Sequence, residues 1–338
     1  MKRIKTLLLI VMISLAVFAA GFAFVSVHVY HRSIGASLME LRLQSKNSTR
    51  VFETAQNAQK YMQRRAKSED KWYELPKDVS FESTMIVFHY RNIKLLAFVP
   101  ESEKKHIVLY LHGGAYVSQI SKNQLRFCDR LAQQSDSVVL APIYPLAPNH
   151  RFSETYLVLE HLYPDIRGYT DLPLTILGDS AGGGLAAGFC EYFGVWGWEQ
   201  PEHLILICPW LDATLSNPDI KRYAKHDPTL SPKGLRRMGK AWAGLYTNAK
   251  DYRISPMFGE LSYFRDVTLF TGTRELLYPD VVKFSELLQE AGAETTLHVG
   301  NGLNHNYPLY DILEAGEAMR QICDAIARRA GLFCFHCT

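Results

Sequence analysis

The chain has 338 residues, 47% of them hydrophobic and 21% charged, with 37 basic against 34 acidic side chains. That length suits one large α/β domain with an accessory element, and it is cramped for two equal domains. The near-balance of charge, with no basic cluster, excludes a nucleic-acid partner, which needs Lys and Arg gathered into a patch.

In chain order the first feature is apolar. Lys2, Arg3 and Lys5 precede residues 6–30, which contain no acidic side chain and no Lys or Arg. A helix over its core, residues 7–27, spans about 30 Å, the hydrocarbon thickness of a bilayer. The apolar region of a cleavable signal is shorter, roughly 7–15 residues. Length therefore favours a transmembrane signal-anchor over residues 6–30. Residues 1–5 are then cytoplasmic and the remainder extracytoplasmic or lumenal, because positive charge stays on the cytoplasmic side. Ala19, Ala20, Gly21 and Ala23 leave open a cleaved signal and a secreted product, and a buried core helix is the third option.

Residues 31–78 are polar and helix-prone, which predicts either a stalk or helices that cover the domain following them. Over residues 79–330 short β-branched apolar runs alternate with helical stretches. Residues 107–111, 138–141, 174–177, 204–207, 267–270 and 295–299 read as strands. Residues 124–134, 154–163, 182–193, 281–291 and 313–330 read as helices. The alternation predicts an α/β fold with a mostly parallel sheet and helices on both faces. It breaks over residues 210–262, a proline-rich interval with one aromatic helical stretch at 235–246. This predicts a helical cap over the active site, with Trp242, Tyr246 and Phe258 available to line it and the early helices supplying its other half. Cys128, Cys190 and Cys208 read as small buried apolar residues. In the tail, residues 331–338, Cys334 and Cys337 lack the context of a redox motif or the further ligands of a zinc site; an incidental disulfide is the expectation.

Three motifs carry chemistry. Gly178-Asp179-Ser180-Ala181-Gly182 follows a predicted strand and opens a predicted helix. A nucleophile projecting from so sharp a turn brings neighbouring segments together, which requires small residues at −2 and +2. His112-Gly113-Gly114-Ala115 directly follows the strand 107–111. Acyl transfer builds charge on a carbonyl oxygen, so donors must wait for it. The N–H groups of Gly113 and Gly114 are candidates, with that of Ala181 as a third. The serine needs a base, and the base an acid, in the chain order Ser, Asp or Glu, His. His298 lies inside the last predicted strand, whereas His305 lies in the loop beyond it, so His305 is the expected base. Glu275 is the expected acid and Asp280 the alternative. Pro279 and Asp280 look like helix-start chemistry, since a missing N–H does no harm in a first turn and a carboxylate suits the positive end of the dipole.

Together these motifs identify the chain as resembling the hormone-sensitive lipase family of α/β-hydrolases. His112-Gly113-Gly114-Ala115 resembles its oxyanion motif and Gly178-Asp179-Ser180-Ala181-Gly182-Gly183 its nucleophile motif. Tyr144-Pro145-Leu146-Ala147-Pro148, Pro209-Trp210-Leu211-Asp212 and Ser255-Pro256 are similar to further family segments, and the likeness covers roughly residues 80–325. It implies the α/β-hydrolase fold, hydrolysis of short- to medium-acyl esters, a helical cap, and no metal or organic cofactor. The chain departs from the family at Ala115, where many members have Gly, and at Glu275, where the acid is commonly Asp. An amidase or peptidase would use the same residues. A binding protein on a disabled scaffold would have lost one of them, and none is lost.

Overall fold

The computed structural model describes residues 2–46, 54–69, 73–245 and 247–330. Tyr246, Cys334 and Cys337 lie outside them. Strands β1 (Thr84–Tyr90), β2 (Ile93–Val99), β3 (His106–Leu111), β4 (Ser137–Pro142), β5 (Leu174–Asp179), β6 (His203–Ile207), β7 (Asp266–Gly272) and β8 (Glu294–Gly300) form one sheet in the order β1-β2-β4-β3-β5-β6-β7-β8. β2 is antiparallel to both β1 and β4, and every other pair is parallel. The central strands β3, β5 and β6 are buried along their whole length. A parallel sheet covered on both faces selects such unbroken apolar runs rather than alternation.

The covering helices are α4 (Lys122–Gln134) and α10 (Leu313–Ala330) on one face, and α5 (Phe152–Tyr169), α6 (Ala181–Trp196) and α9 (Tyr278–Glu290) on the other. Between β6 and β7 the expected insertion contains α7 (Ile220–Tyr223) and α8 (Pro232–Ala243). Leu235, Met238 and Trp242 of α8 join the α6-side core.

At the amino end α1 (Lys2–Phe24) passes into one π-helical turn, Val25–Val29. Residues Ile4–Val29 form a helix long and apolar enough to cross a membrane, and none of its most apolar window is buried in the fold. It is therefore not a core helix. Next come α2 (Ile34–Ser45) and α3 (Ala55–Glu69). Segment 30–40 is not a loose stalk. Buried Arg32 donates to Glu40, to Ser37 Oγ (2.9 Å) and to the Gly302 carbonyl (2.7 Å), and Arg274 donates to Glu40 at 2.6 and 2.9 Å. Ser33 caps α2 through the N–H of Ala36 (3.0 Å) while its own N–H and hydroxyl donate to Glu314 at 2.6 and 2.8 Å. Burial alone would raise the Glu40 pKa, but the hydrogen bonds from Arg274 and Arg32 hold it below the usual carboxylate value.

Candidate active site

Ser180 stands between β5 and α6 with φ 53° and ψ −120°, a conformation that costs a residue with a side chain about 1–3 kcal/mol. The surrounding structure imposes it: the Ser180 N–H donates to the Ile207 carbonyl and its carbonyl accepts from Trp210, each at 2.8 Å. The flanking glycines explain the spacing. A Cβ on Gly178 would lie 2.8 Å from the Gly183 nitrogen, and one on Gly182 2.6 Å from the His112 carbonyl group. Neither position has room for a side chain.

His305 lies in the loop after β8, where its Nε2 accepts from Ser180 Oγ at 2.9 Å and its Nδ1 donates to Glu275 Oε2 at 2.5 Å. The other Glu275 oxygen accepts from the Thr271 hydroxyl and from the Gly272 N–H (3.1 Å), so the carboxylate is held on both sides. All three residues are buried. Burial favours a neutral His305, yet the hydrogen bond and charge of Glu275, aided by Asp227 and Asp179, outweigh it and raise the imidazole pKa. The Cys208 sulfur accepts the Asn306 N–H at 3.3 Å and steadies the same loop.

Asp280 and His298 are elsewhere. Asp280 sits in the first turn of α9, fully buried, with Asp212 and Asn217 as its neighbours. Burial first, and the Asp212 charge second, push its pKa up to about 7. His298 stacks on Phe270 (centroids 4.7 Å apart) within edge strand β8, and burial lowers its pKa.

The loop after β3 corrects one expectation. The Gly113 N–H is committed to Asp179 Oδ1 at 2.8 Å, so it is not available to a substrate oxygen. Gly113 serves by having no side chain, since a Cβ there would meet Ser180 Cβ at 2.9 Å. Among the described residues no protein group accepts the N–H of Gly114, Ala115 or Ala181. Gly114 has φ +139° and Ala115 φ 52°, which turn the chain toward the site. Of the expected pair of loop N–H groups, Gly113 and Gly114, only that of Gly114 is free, and the N–H of Ala115 is free beside it.

Asp179 joins the parts. Its buried carboxylate also accepts from Tyr110 Oη (2.5 Å), Gln124 Nε2 (3.0 and 3.1 Å) and Asn306 Nδ2 (2.7 Å). One side chain therefore ties the nucleophile turn, the loop after β3, α4 and the His305 loop together. His112 stacks on Tyr144 (centroids 4.3 Å apart), whose hydroxyl donates to the His112 carbonyl, and desolvation lowers the pKa of this imidazole. Sequence reasoning missed Gln124. Its signal was present in Ser121-Lys122-Asn123-Gln124, a capping box that starts α4.

Ser180, His305, Gly114 and Ala115 open on a cavity of about 290 Å³. Its apolar wall comes from Tyr61 of α3, from Val117, from Leu230, Leu235 and Met238 of the insertion, and from Leu309. The two parts of the chain expected to form a cap do meet here. Of the expected lining residues that are described, neither lines it: Trp242 is wholly buried, stacked on Tyr116 at 4.3 Å, and Phe258 lies under Lys250.

A sequence profile of the α/β-hydrolase fold matches residues 108–309. An esterase of Acinetobacter venetianus is 25% identical over 228 residues, covering 66% of this chain and 75% of the relative. An ethyl acetate hydrolase of Pseudomonas putida is 27% identical over 232 residues, covering 65% and 72%. The solved structure of a hormone-sensitive lipase homologue from a metagenome library superposes with a TM-score of 0.73 at 23% identity, over 88% of this chain and 99% of the other. Motif order, sheet order and profile thus agree over one span of more than half the chain, and by them the chain belongs to the hormone-sensitive lipase-like family of α/β-hydrolases.

Proposed function

We propose that the protein is a serine ester hydrolase acting on esters of short- to medium-length acids, held at a membrane by α1 with its catalytic domain on the extracytoplasmic or lumenal side. One observation carries the chemistry: Ser180, His305 and Glu275 form a continuous hydrogen-bonded chain at a cavity lined by Gly114 and Ala115, whose N–H groups, like that of Ala181 next to the serine, have no protein acceptor among the described residues. Ser180 Oγ attacks the acyl carbon while His305 Nε2 takes its proton, and Glu275 holds the imidazole tautomer and faces the cation that forms. The N–H groups of Gly114, Ala115 and Ala181 receive the oxyanion. His305 returns the proton to the departing alcohol, which leaves an ester on Ser180. Water, deprotonated by the same nitrogen, then cleaves that ester to release the acid and restore the serine.

The compact cavity supports small acyl groups, and a relative named for ethyl acetate hydrolysis is in keeping with them. Aryl acetate, butyrate, octanoate and palmitate, tested with Ser180→Ala as blank, should show activity concentrated in the shorter esters and lost in the variant. Equal rates with and without Ser180 would point to a binding protein. Preference for an anilide over the matching ester would point to an amidase. For the anchor, membranes should retain the full chain after carbonate extraction, whereas an amino terminus found near residue 20–24 would show a cleaved signal.

A further inference from the structure

We infer that α2 lies on the membrane: its outer face, with the start of α10, is a second lipid-contact surface beyond the spanning helix. This rests on the reading of α1 as a membrane helix.

The polarity of α2 is inverted. A surface helix of a globular domain turns its apolar stripe inward and its charges outward. Here Glu40 and Ser37 face the domain with Ala36 and Leu43, all of them buried. Ile34, Leu38 and Leu41 point outward, 43, 55 and 50% exposed. Their spacing, i, i+4 and i+7, puts them on one side of the helix. Leu313, at the start of α10 and 79% exposed, adjoins them, because Ser33 is bonded to its neighbour Glu314. Glu40 explains why the face is not a mistake of orientation. It is bound inside by Arg32 and Arg274, so α2 cannot roll to hide its leucines without breaking a buried ion cluster.

Position supplies the occupant. The exposed apolar helix ends at Val29, and α2 starts at Ile34. Five residues reach at most about 17 Å, so α2 cannot leave the headgroup region by more than that. The connection is also fixed. The Tyr30 N–H donates to the Val25 carbonyl and that of Arg32 to the Ser26 carbonyl (3.0 and 3.1 Å), while both Arg32 and Arg274 stack on the Tyr30 ring at 4.9 and 5.0 Å. Arg42 and Lys46 flank the stripe as exposed cations suited to phosphate headgroups. A stripe of Leu and Ile bounded by basic residues, rigidly joined to a membrane helix, fits the boundary between headgroups and acyl chains.

The test uses full-length protein in phosphatidylcholine nanodiscs, with Cys323, Cys334 and Cys337 replaced by serine. A polarity-sensitive fluorophore is placed singly at Leu38→Cys, Leu41→Cys, Phe18→Cys in α1, or Tyr169→Cys on exposed surface at the end of α5. Hydrolysis of a soluble short-chain ester reports that each protein is folded, and positions 38 and 41 read the same face independently. Lipid carrying a nitroxide near its headgroup should quench most of the emission at 38 and 41 and leave 169 bright. Quenching at 18 with none at 38 and 41 would overturn the surface contact while the anchor stands. No quenching at 18 by nitroxides placed at any depth would remove the anchor and this inference with it.

Discussion

Glu275 and Asp280 are both carboxylates with no exposed surface, five positions apart, yet their surroundings give them opposite properties. Glu275 accepts hydrogen bonds at both oxygens, one from His305; neither oxygen of Asp280 has a well-formed partner among the described residues. Glu275→Gln is therefore expected to lower kcat by up to about 10⁴, and Asp280→Asn to leave it within an order of magnitude. Because Glu275 raises the His305 pKa, the acid limb of the rate profile should lie above the ordinary imidazole value of about 6.5. Whatever activity remains in Glu275→Gln should show that limb at lower pH. Asp280 is a matter of stability. Its pKa rises from an unperturbed 3.8 to about 7 on folding, so the native state binds more protons than the unfolded chain between those values. Stability due to this group is full below the lower value, falls through the window and is flat above the upper one. Asp280→Asn should gain on wild type from pH 4 to 7, read as urea midpoints at several pH values. The motif between a strand and a helix pointed to Ser180, and chain order with a loop position pointed to His305 over His298; Glu275 was preferred to Asp280 on helix-start chemistry. Gly113 was misread because its competitor for the N–H, Asp179, is 66 residues away and visible only in three dimensions.

The elements that were legible are those whose burial leaves a pattern. β3, β5 and β6 are apolar because both faces are covered, and α6 announces itself by its small residues. β1 and β2 were not read as strands. β1 is an edge strand with most residues exposed, so no alternation marks it, and its turn to β2 uses Arg91 at φ 50° in place of glycine. α5 was cut short at Tyr163 because Pro164 follows, but the helix continues to Tyr169. Ile166 is buried and Arg167 is bonded to Glu202 at 2.9 Å twice, contacts that outweigh the lost backbone bond. The same contrast between local preference and packing yields a paired prediction. Gly182→Ala drives a methyl into the end of β3 and should cost at least about 2 kcal/mol as well as activity. Gly168→Ala, on α5 with nothing within 4 Å, should stabilise by a few tenths to about 1 kcal/mol. Denaturant midpoints that move the same way in both variants would contradict this reading of the two sites.

The whole molecule is closed by its amino-terminal segment as much as by its sheet. Buried Arg32 and Glu40 form a cluster with partly buried Arg274, the neighbour of Glu275, and Gly302 belongs to the loop that leads to His305. Removing the apolar amino-terminal helix at the wrong residue should thus damage the enzyme. Deletion of residues 1–24 spares Ser26, Tyr30 and Arg32 and should give an active protein of near-normal thermal stability. Deletion of residues 1–33 removes one partner from the cluster, a change worth roughly 3–5 kcal/mol for a buried pair, and Glu40→Gln in the full chain should match it in direction. Melting temperatures of the three proteins decide the point. The cluster also has a history in time. Glu40 and Arg274 are separated by 234 positions, and a ribosome adds about 5–20 residues each second, so the early helix waits roughly 10–50 s for its counterpart to be made. During that interval a carboxylate destined for the interior has no cation from the far end of the chain. The segment that carries Glu40 is thus made long before it can be locked, and the finished ion cluster is a record that synthesis reached the far loops.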